Sequence, residues 1–182
     1  MPVNAPQADI LVLARAVQNC CRVSRPVSYG STRATRDHFD PYRLESNPAL
    51  LRALAELMTT LLPPETEILG GLELGGLPIT AVLSQVTGLP GVLVRDRRRP
   101  YGSQRFVEGL DCDGRFVVLV DDAVPSAYQL RNSVAALRQL GAKVTTVVCA
   151  IDRQDAPRLV GQDLEVRVAL TRSVLERARV PS

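Results

Sequence analysis

Apolar residues at Ile10, Leu11, Leu13, Ala14, Val17 and Cys21 recur with the period of a helix, which predicts one over residues 8–23, ending before Arg25-Pro26. The following stretch, 26–48, is rich in Ser, Thr, Arg and Asp and has no long period. It reads as an irregular flap in which His38-Phe39-Asp40 and Tyr42-Arg43-Leu44 are candidate short strands. Asn47 followed by Pro48 supplies an N-cap and a first helical residue, and Leu50, Leu51, Leu54, Leu57 and Met58 carry that helix to Pro63-Pro64. Beyond it, short apolar runs alternate with helical segments. Strands are expected over 67–70, 91–95, 115–120, 143–151 and 164–170, with helices over 78–87, 126–140 and 171–179.

Fully apolar strands alternating with helices predict an α/β fold, a central parallel sheet with helices on both faces and a small N-terminal flap. A chain of 182 residues suits one domain, here 1–46 as helix and flap and 47–182 as the α/β core. Its 22 Lys and Arg against 19 Asp and Glu leave a net charge of only +3, which argues against a nucleic-acid-coating surface. Lys143 is the sole lysine and His38 the sole histidine, so a histidine-rich metal site or a histidine relay is excluded. His38, in an Arg- and Asp-rich segment, reads as a surface hydrogen-bonding residue. Cys20, Cys21, Cys112 and Cys149 lack CxxC spacing and read as reduced thiols, and no window has the apolar length of a membrane span. A cytoplasmic protein is expected.

In parallel sheets of this kind ligands bind outside the carboxyl ends of the strands, which singles out three connections. The first, Gly70-Gly71-Leu72-Glu73-Leu74-Gly75-Gly76, precedes a helix, where glycines let backbone amides approach a phosphate; a plain tight turn is the alternative. The second, Arg95-Asp96-Arg97-Arg98-Arg99-Pro100-Tyr101-Gly102, packs like charges that an anion would neutralise, although a solvated turn is also compatible with it. The third runs from a buried strand into Asp121-Asp122 and on to Ser126. Ser126 with Gln129 fits a helix cap, but capping leaves the acidic pair unexplained, and two adjacent carboxylates call for sugar hydroxyls, a metal or arginines.

Five stretches, HFDPYRLESNPALL from His38, GGLELGGLPITAVLSQVTGLPGVLVR from Gly70, YGSQRFVEG from Tyr101, FVVLVDDAV from Phe116 and CAIDRQ from Cys149, together resemble a type I phosphoribosyltransferase of the orotate phosphoribosyltransferase group. The resemblance implies transfer from 5-phosphoribosyl 1-pyrophosphate, held with Mg2+, in a homodimer that binds a small-molecule acceptor; charge and apolar patterning add the expectation of neither nucleic acid nor membrane as a partner. On that basis Leu72, Glu73, Leu74, Gly75 and Gly76 match the pyrophosphate loop. Asp121 and Asp122 match the pair that holds the ribose hydroxyls, and through the donor the metal. Arg95, Arg99, Tyr101 and Gly102 match the catalytic loop, which in the family reaches into the partner subunit's site.

The sequence also departs from the family pattern. Asp96 stands where a lysine is usual. The 5'-phosphate loop keeps only Ser126, with Pro125, Ala127 and Tyr128 replacing residues that leave room and amide donors for a phosphate. Two functional expectations follow. One is an enzyme that moves a ribosyl-phosphate or related sugar to an acceptor other than orotate. The other is a homologue without catalysis that senses a ligand or binds a partner.

Overall fold

The computed structural model describes residues 7–23, 27–29, 32–35, 38–95, 105–152 and 163–179. The N-terminal periodicity forms α1 (Gln7–Cys21), whose buried stripe is Ala14, Val17 and Cys21. The flap that follows is more regular than its polar composition predicts. It contains β1 (Arg22–Val23), β2 (Val27–Tyr29), β3 (Thr32–Thr35) and β4 (His38–Phe39), with β2 antiparallel to β3 and β1 antiparallel to β4.

Tyr42, Arg43 and Leu44 are not a strand; they lie in α2 (Pro41–Glu45). The Asp40 carboxylate accepts from the Tyr42 amide at 3.1 Å, and Pro41 at the first helical position presets φ, so this short polar segment nucleates a helix without any apolar period. α3 (Pro48–Thr59) starts as expected, with the Asn47 side chain accepting from the Leu50 amide at 3.2 Å, and buries Leu51, Leu54, Ala55 and Met58.

The core then builds β5 (Ile68–Leu72), α4 (Gly76–Thr87), β6 (Gly91–Val94), β7 (Val107–Glu108), β8 (Val117–Ala123), α5 (Ala127–Gln139), β9 (Thr146–Ile151), β10 (Glu165–Leu170) and α6 (Arg172–Arg177). Six strands form one sheet in the order β10-β9-β8-β5-β6-β7. All neighbours are parallel except β6 and β7, so the sheet is mixed at one edge. At two residues, β7 is too short to show a period, which is why the sequence does not reveal it.

Alternation along β8 divides the core: Val118 and Val120 face the layer of α1, α3, α4 and α6, whereas Val117 and Leu119 face α5. Both faces are thus apolar and helix-covered. Each buried Leu or Val side chain contributes about 1.5–3 kcal/mol relative to exposure, so these layers hold the strand ends in fixed positions. Among the described residues no helix is long and apolar enough to cross a membrane.

The strand expected to end at Gly70 runs on to Leu72, so Gly71 belongs to it rather than to the first connection. Gly70 and Gly71 lie inside β5. A side chain on Gly71 would collide with Thr80 of α4, and one on Gly70 would press on Val117, Leu119 and Val94 at 3.3–3.4 Å. Their role is to let α4 and the neighbouring side chains pack closely. β5 is also where the strand order reverses, since the chain leaves it toward β6 on one side and returns as β8 on the other. A crevice at the carboxyl ends of β5 and β8 is the geometric consequence.

Candidate functional site

The acidic pair closes β8, with Asp121 turned to the α5 face and Asp122 to the α4 face by strand alternation. Asp121 is only 7% exposed, and its Oδ1 accepts the Asp122 amide at 3.0 Å. Burial, and after it the charge of Asp122, pushes the Asp121 carboxyl well above the usual range for a carboxylate. No arginine or lysine is paired with either acid among the described salt bridges. The sole lysine, Lys143, sits over the Phe116 ring at 4.7 Å, toward the amino end of β8 and away from the acids.

Against this pair lies the connection from β5 to α4. A side chain on Gly75 would run into the Asp122 carboxylate, and one on Gly76 into the Val120 carbonyl and Asp121. Glycine at these two positions is therefore what allows the loop and the acids to approach. Leu72 is fully buried as the last residue of β5, so only its backbone is available to the loop. The Glu73 amide donates to Val94 O at 2.8 Å, the Glu73–Leu74 peptide bond is cis, and Leu74 is exposed. Gly75, the N-cap of α4, supplies no capping side chain, so the start of the helix against the acidic pair is left without a side-chain cap.

Arg95 follows β6 directly, and the structure places it differently from an open anion-binding loop. It is 9% exposed, with Nη1 3.2 Å from Glu73 Oε1 and Nε 3.6 Å from Glu108 Oε1. Arg99, Tyr101, Gly102 and the divergent Asp96 lie outside the described residues. Ser126 caps α5, its Oγ accepting from the Gln129 amide at 3.2 Å, which bears out the capping reading of that serine. Ala127 is the first residue of α5, and Tyr128 is 75% exposed on its first turn.

One residue at this crevice escapes the sequence reading. Glu45, at the end of α2, has an Oε1 that is buried without a hydrogen bond. Its carboxyl is raised to about 7, first by burial, then by the charges of Asp122 and Asp40. The flap therefore brings a third acid toward the acidic pair. Only the position of Glu45 next to the Asp40-capped turn hinted at a role, and no local pattern ties residue 45 to residue 122.

No family model matches the chain. An orotate phosphoribosyltransferase of Nocardioides sp. is 41% identical to it over 169 residues, spanning 92% of this chain and 94% of that protein. The chain belongs to the orotate phosphoribosyltransferase family. The family member from Methanocella arvoryzae is 31% identical over 82% of this chain and 84% of its own. The fold is shared with the orotate phosphoribosyltransferase of Mycobacterium tuberculosis solved with Fe(III) dicitrate, at a TM-score of 0.81 over 92% of this chain and 98% of that one, with 24% identity.

Membership in the orotate phosphoribosyltransferase family implies Mg2+, and the donor set can be tested against it. Among the described residues no group of three or more His, Cys, Asp or Glu side chains could hold a metal ion. Two adjacent carboxylates suit a hard cation that keeps waters and takes most of its oxygens from a substrate's phosphates. Asp121 and Asp122 fit that indirect role, and no protein-only cage is present among those residues.

Proposed function

We propose that the chain catalyses phosphoribosyl transfer from 5-phosphoribosyl 1-pyrophosphate, with orotate as the acceptor. The observation that carries this reading is the apposition of Gly75 and Gly76 with Asp122 and Asp121 at the point where the strand order reverses. In it, Asp121 and Asp122 accept from the ribose hydroxyls, while the amides of 74–76 at the start of α4 hold the pyrophosphate. As the bond to pyrophosphate breaks, positive charge grows on the sugar beside the two carboxylates, and the acceptor nitrogen attacks the anomeric carbon. Rate enhancement then comes from holding two anions in place and from fixed charges around the reacting carbon. Mg2+, when bound, supplies positive charge to the pyrophosphate oxygens.

The expectation of an acceptor other than orotate rested on the loose match of residues 32–40 to the family's orotate-side segment, which holds no lysine here, whereas Asp96, Pro125, Ala127 and Tyr128 concern the donor. Relatives named orotate phosphoribosyltransferase that align along nearly the whole chain support orotate. The same four residues favour the second reading, a homologue that binds without turnover. A homodimer completed by the 96–104 segment of each subunit, with 1–182 acting as one domain in a reducing cytoplasm, belongs to the proposal, and the four free cysteines are compatible with it.

Pyrophosphate release in the presence of donor, Mg2+ and orotate tests the reading. Turnover that requires orotate is the expected result. Donor binding without release under any acceptor supports the non-catalytic homologue, and release with another acceptor but not orotate returns the reading to a different substrate.

A further inference from the structure

The proposed function gives Glu45 no task, yet its side chain is held at a cost. Oε1 is sealed from solvent and has no hydrogen-bond partner among the described residues, and a buried acceptor left unmatched works against folding. The backbone around it is fastened on both sides. The Asp40 amide donates to Cys21 O at 2.8 Å, and the Asn47 amide to Leu44 O at 2.9 Å. Leu44, buried at the preceding position, belongs to the same apolar layer as Val118 and Val120, the strand residues that lead into the acidic pair. The Glu45 carboxyl accordingly lies in the field of Asp122 and Asp40, and its own charge adds to that raising Asp121.

These surroundings select what can satisfy the oxygen. An anionic group is repelled by the acids around it. A cation caged by protein alone is not served either, because no set of three His, Cys, Asp or Glu side chains among the described residues could hold one. A neutral hydroxyl meets neither obstacle, and a carboxyl raised to about 7 by burial and by Asp122 and Asp40 can accept from a hydroxyl or donate to it. In the proposed reading, the neutral ligand groups beside Asp122 are the ribose hydroxyls.

We infer that Glu45 is a third ribose-binding residue, its Oε1 hydrogen-bonding the donor hydroxyl that Asp122 holds and so tying the flap to the bound sugar. The inference rests on reading Asp121 and Asp122 as the ribose-binding pair. A rival role, contact with a ring N–H of the acceptor, makes a different forecast: the orotate KM moves and donor affinity does not.

The test is calorimetry of the full chain with Mg2+ and three probes, 5-phosphoribosyl 1-pyrophosphate and its analogues lacking the ribose 2-hydroxyl or the 3-hydroxyl. Glu45→Ala is expected to weaken the intact donor on the order of tenfold, and Glu45→Gln, which keeps an oxygen at this place, to recover most of the loss. With one of the two deoxy analogues the loss in Glu45→Ala should shrink below about twofold, because the bond is already missing. The orotate KM stays unmoved. Undiminished donor affinity in Glu45→Ala overturns the inference, as does a rise in the orotate KM alone. An equal loss on all three probes overturns it as well, since a merely structural role does not distinguish the hydroxyls. If Glu45→Ala melts as a whole, Glu45→Met fills the space without offering the oxygen and is judged by the same outcomes. An unmodified chain that binds no donor overturns the proposed function and this inference with it, whereas a chain that binds the donor indifferently to residue 45 overturns the inference alone.

Discussion

The ends of β6 and β8 flank the same strand, β5, and both carry buried charge, yet they settle it in opposite ways. After β6, Arg95 is compensated within the chain by Glu73 and Glu108. At the end of β8, Asp121 is more deeply buried than an acid tolerates at ordinary cost, and among the described residues the charges that raise its carboxyl are other acids, Asp122 and Glu45. A buried charge with opposite charges beside it stabilises a geometry, whereas buried like charges leave the folded protein with a free energy that a ligand can recover. Sequence reading grouped both sites as donor-binding because both lie at strand carboxyl ends. On the proposed function, the difference in compensation distinguishes an end held by its own ion pairs from the end that takes the donor.

The largest effect expected from breaking this contrast is on the β8 side. Asp121→Asn with Asp122→Asn removes the acceptors proposed for the ribose hydroxyls. With hydrogen bonds to charged groups at about 1.5–3 kcal/mol each, donor affinity should fall by a factor on the order of 10² or more. Calorimetry with 5-phosphoribosyl 1-pyrophosphate and Mg2+ reads this directly. Undiminished binding would mean that the uncompensated acids serve something other than the donor.

A smaller change is expected where α5 begins. Ser126 already caps that helix, and Pro125, Ala127 and Tyr128 surround its first turn. Replacing them as Pro125→Thr, Ala127→Gly and Tyr128→Gly adds an amide donor and clears space for a 5'-phosphate at the helix N-terminus. Two glycines in the first turn cost about 1 kcal/mol each in helix propensity, so the melting temperature should drop somewhat even as donor binding strengthens by about tenfold, or 1.4 kcal/mol. Binding that stays the same in a folded triple variant would show that this loop does not limit the donor.

Elements whose causes are local were legible in the sequence. The Asn47 cap with Pro48, and the continuous apolar run of β8 up to the acidic pair, needed only neighbouring residues to be read. Elements whose causes lie across the fold were not. Gly71 looked like a loop residue because nothing local shows that Thr80 and Leu77 crowd it. Arg95 looked free for an anion because Glu108 joins it only through the two-residue pairing of β7 with β6. Periodicity reports which face is buried, but it does not report which charge meets which.

Stability should move opposite to function at Asp121. Its carboxyl is raised above the unfolded value, so the folded state holds its proton more firmly; the stability this gives is fully present below the unfolded pKa and is lost as pH rises toward the folded one. Asp121→Asn removes the cost of protonating this acid on folding at neutral pH, and its amide oxygen still accepts the Asp122 amide. At neutral pH the variant should therefore melt higher than the unmodified protein while binding the donor worse. A gain of about 1 kcal/mol corresponds to roughly 2–4 °C in a protein of this size, and the gain should shrink below pH 4. A variant that melts lower at pH 7 would place a hidden compensating charge beside Asp121 and weaken the contrast with Arg95.

The smallest expected effect is at Glu45, and it asks how far the uncompensated field extends. Its carboxyl is raised from 4.5 to about 7 by burial and by Asp122 and Asp40. With the folded value above the unfolded one, the stability tied to its proton is present below about pH 4.5 and disappears as pH climbs through about 7. Glu45→Gln keeps the shape of the side chain and removes the titration. The melting-temperature difference between variant and parent should therefore grow in the variant's favour from pH 4 to pH 8, by a degree or two at most, since the group is partly open to solvent and screened. In an Asp122→Asn background the same comparison should flatten, because Asp122, the larger of the two charge effects on Glu45, is gone. A difference that is flat in both backgrounds would confine the like-charge field to Asp121 and Asp122; one that grows equally in both would assign it to burial and Asp40, leaving the flap without an electrostatic link to the end of β8.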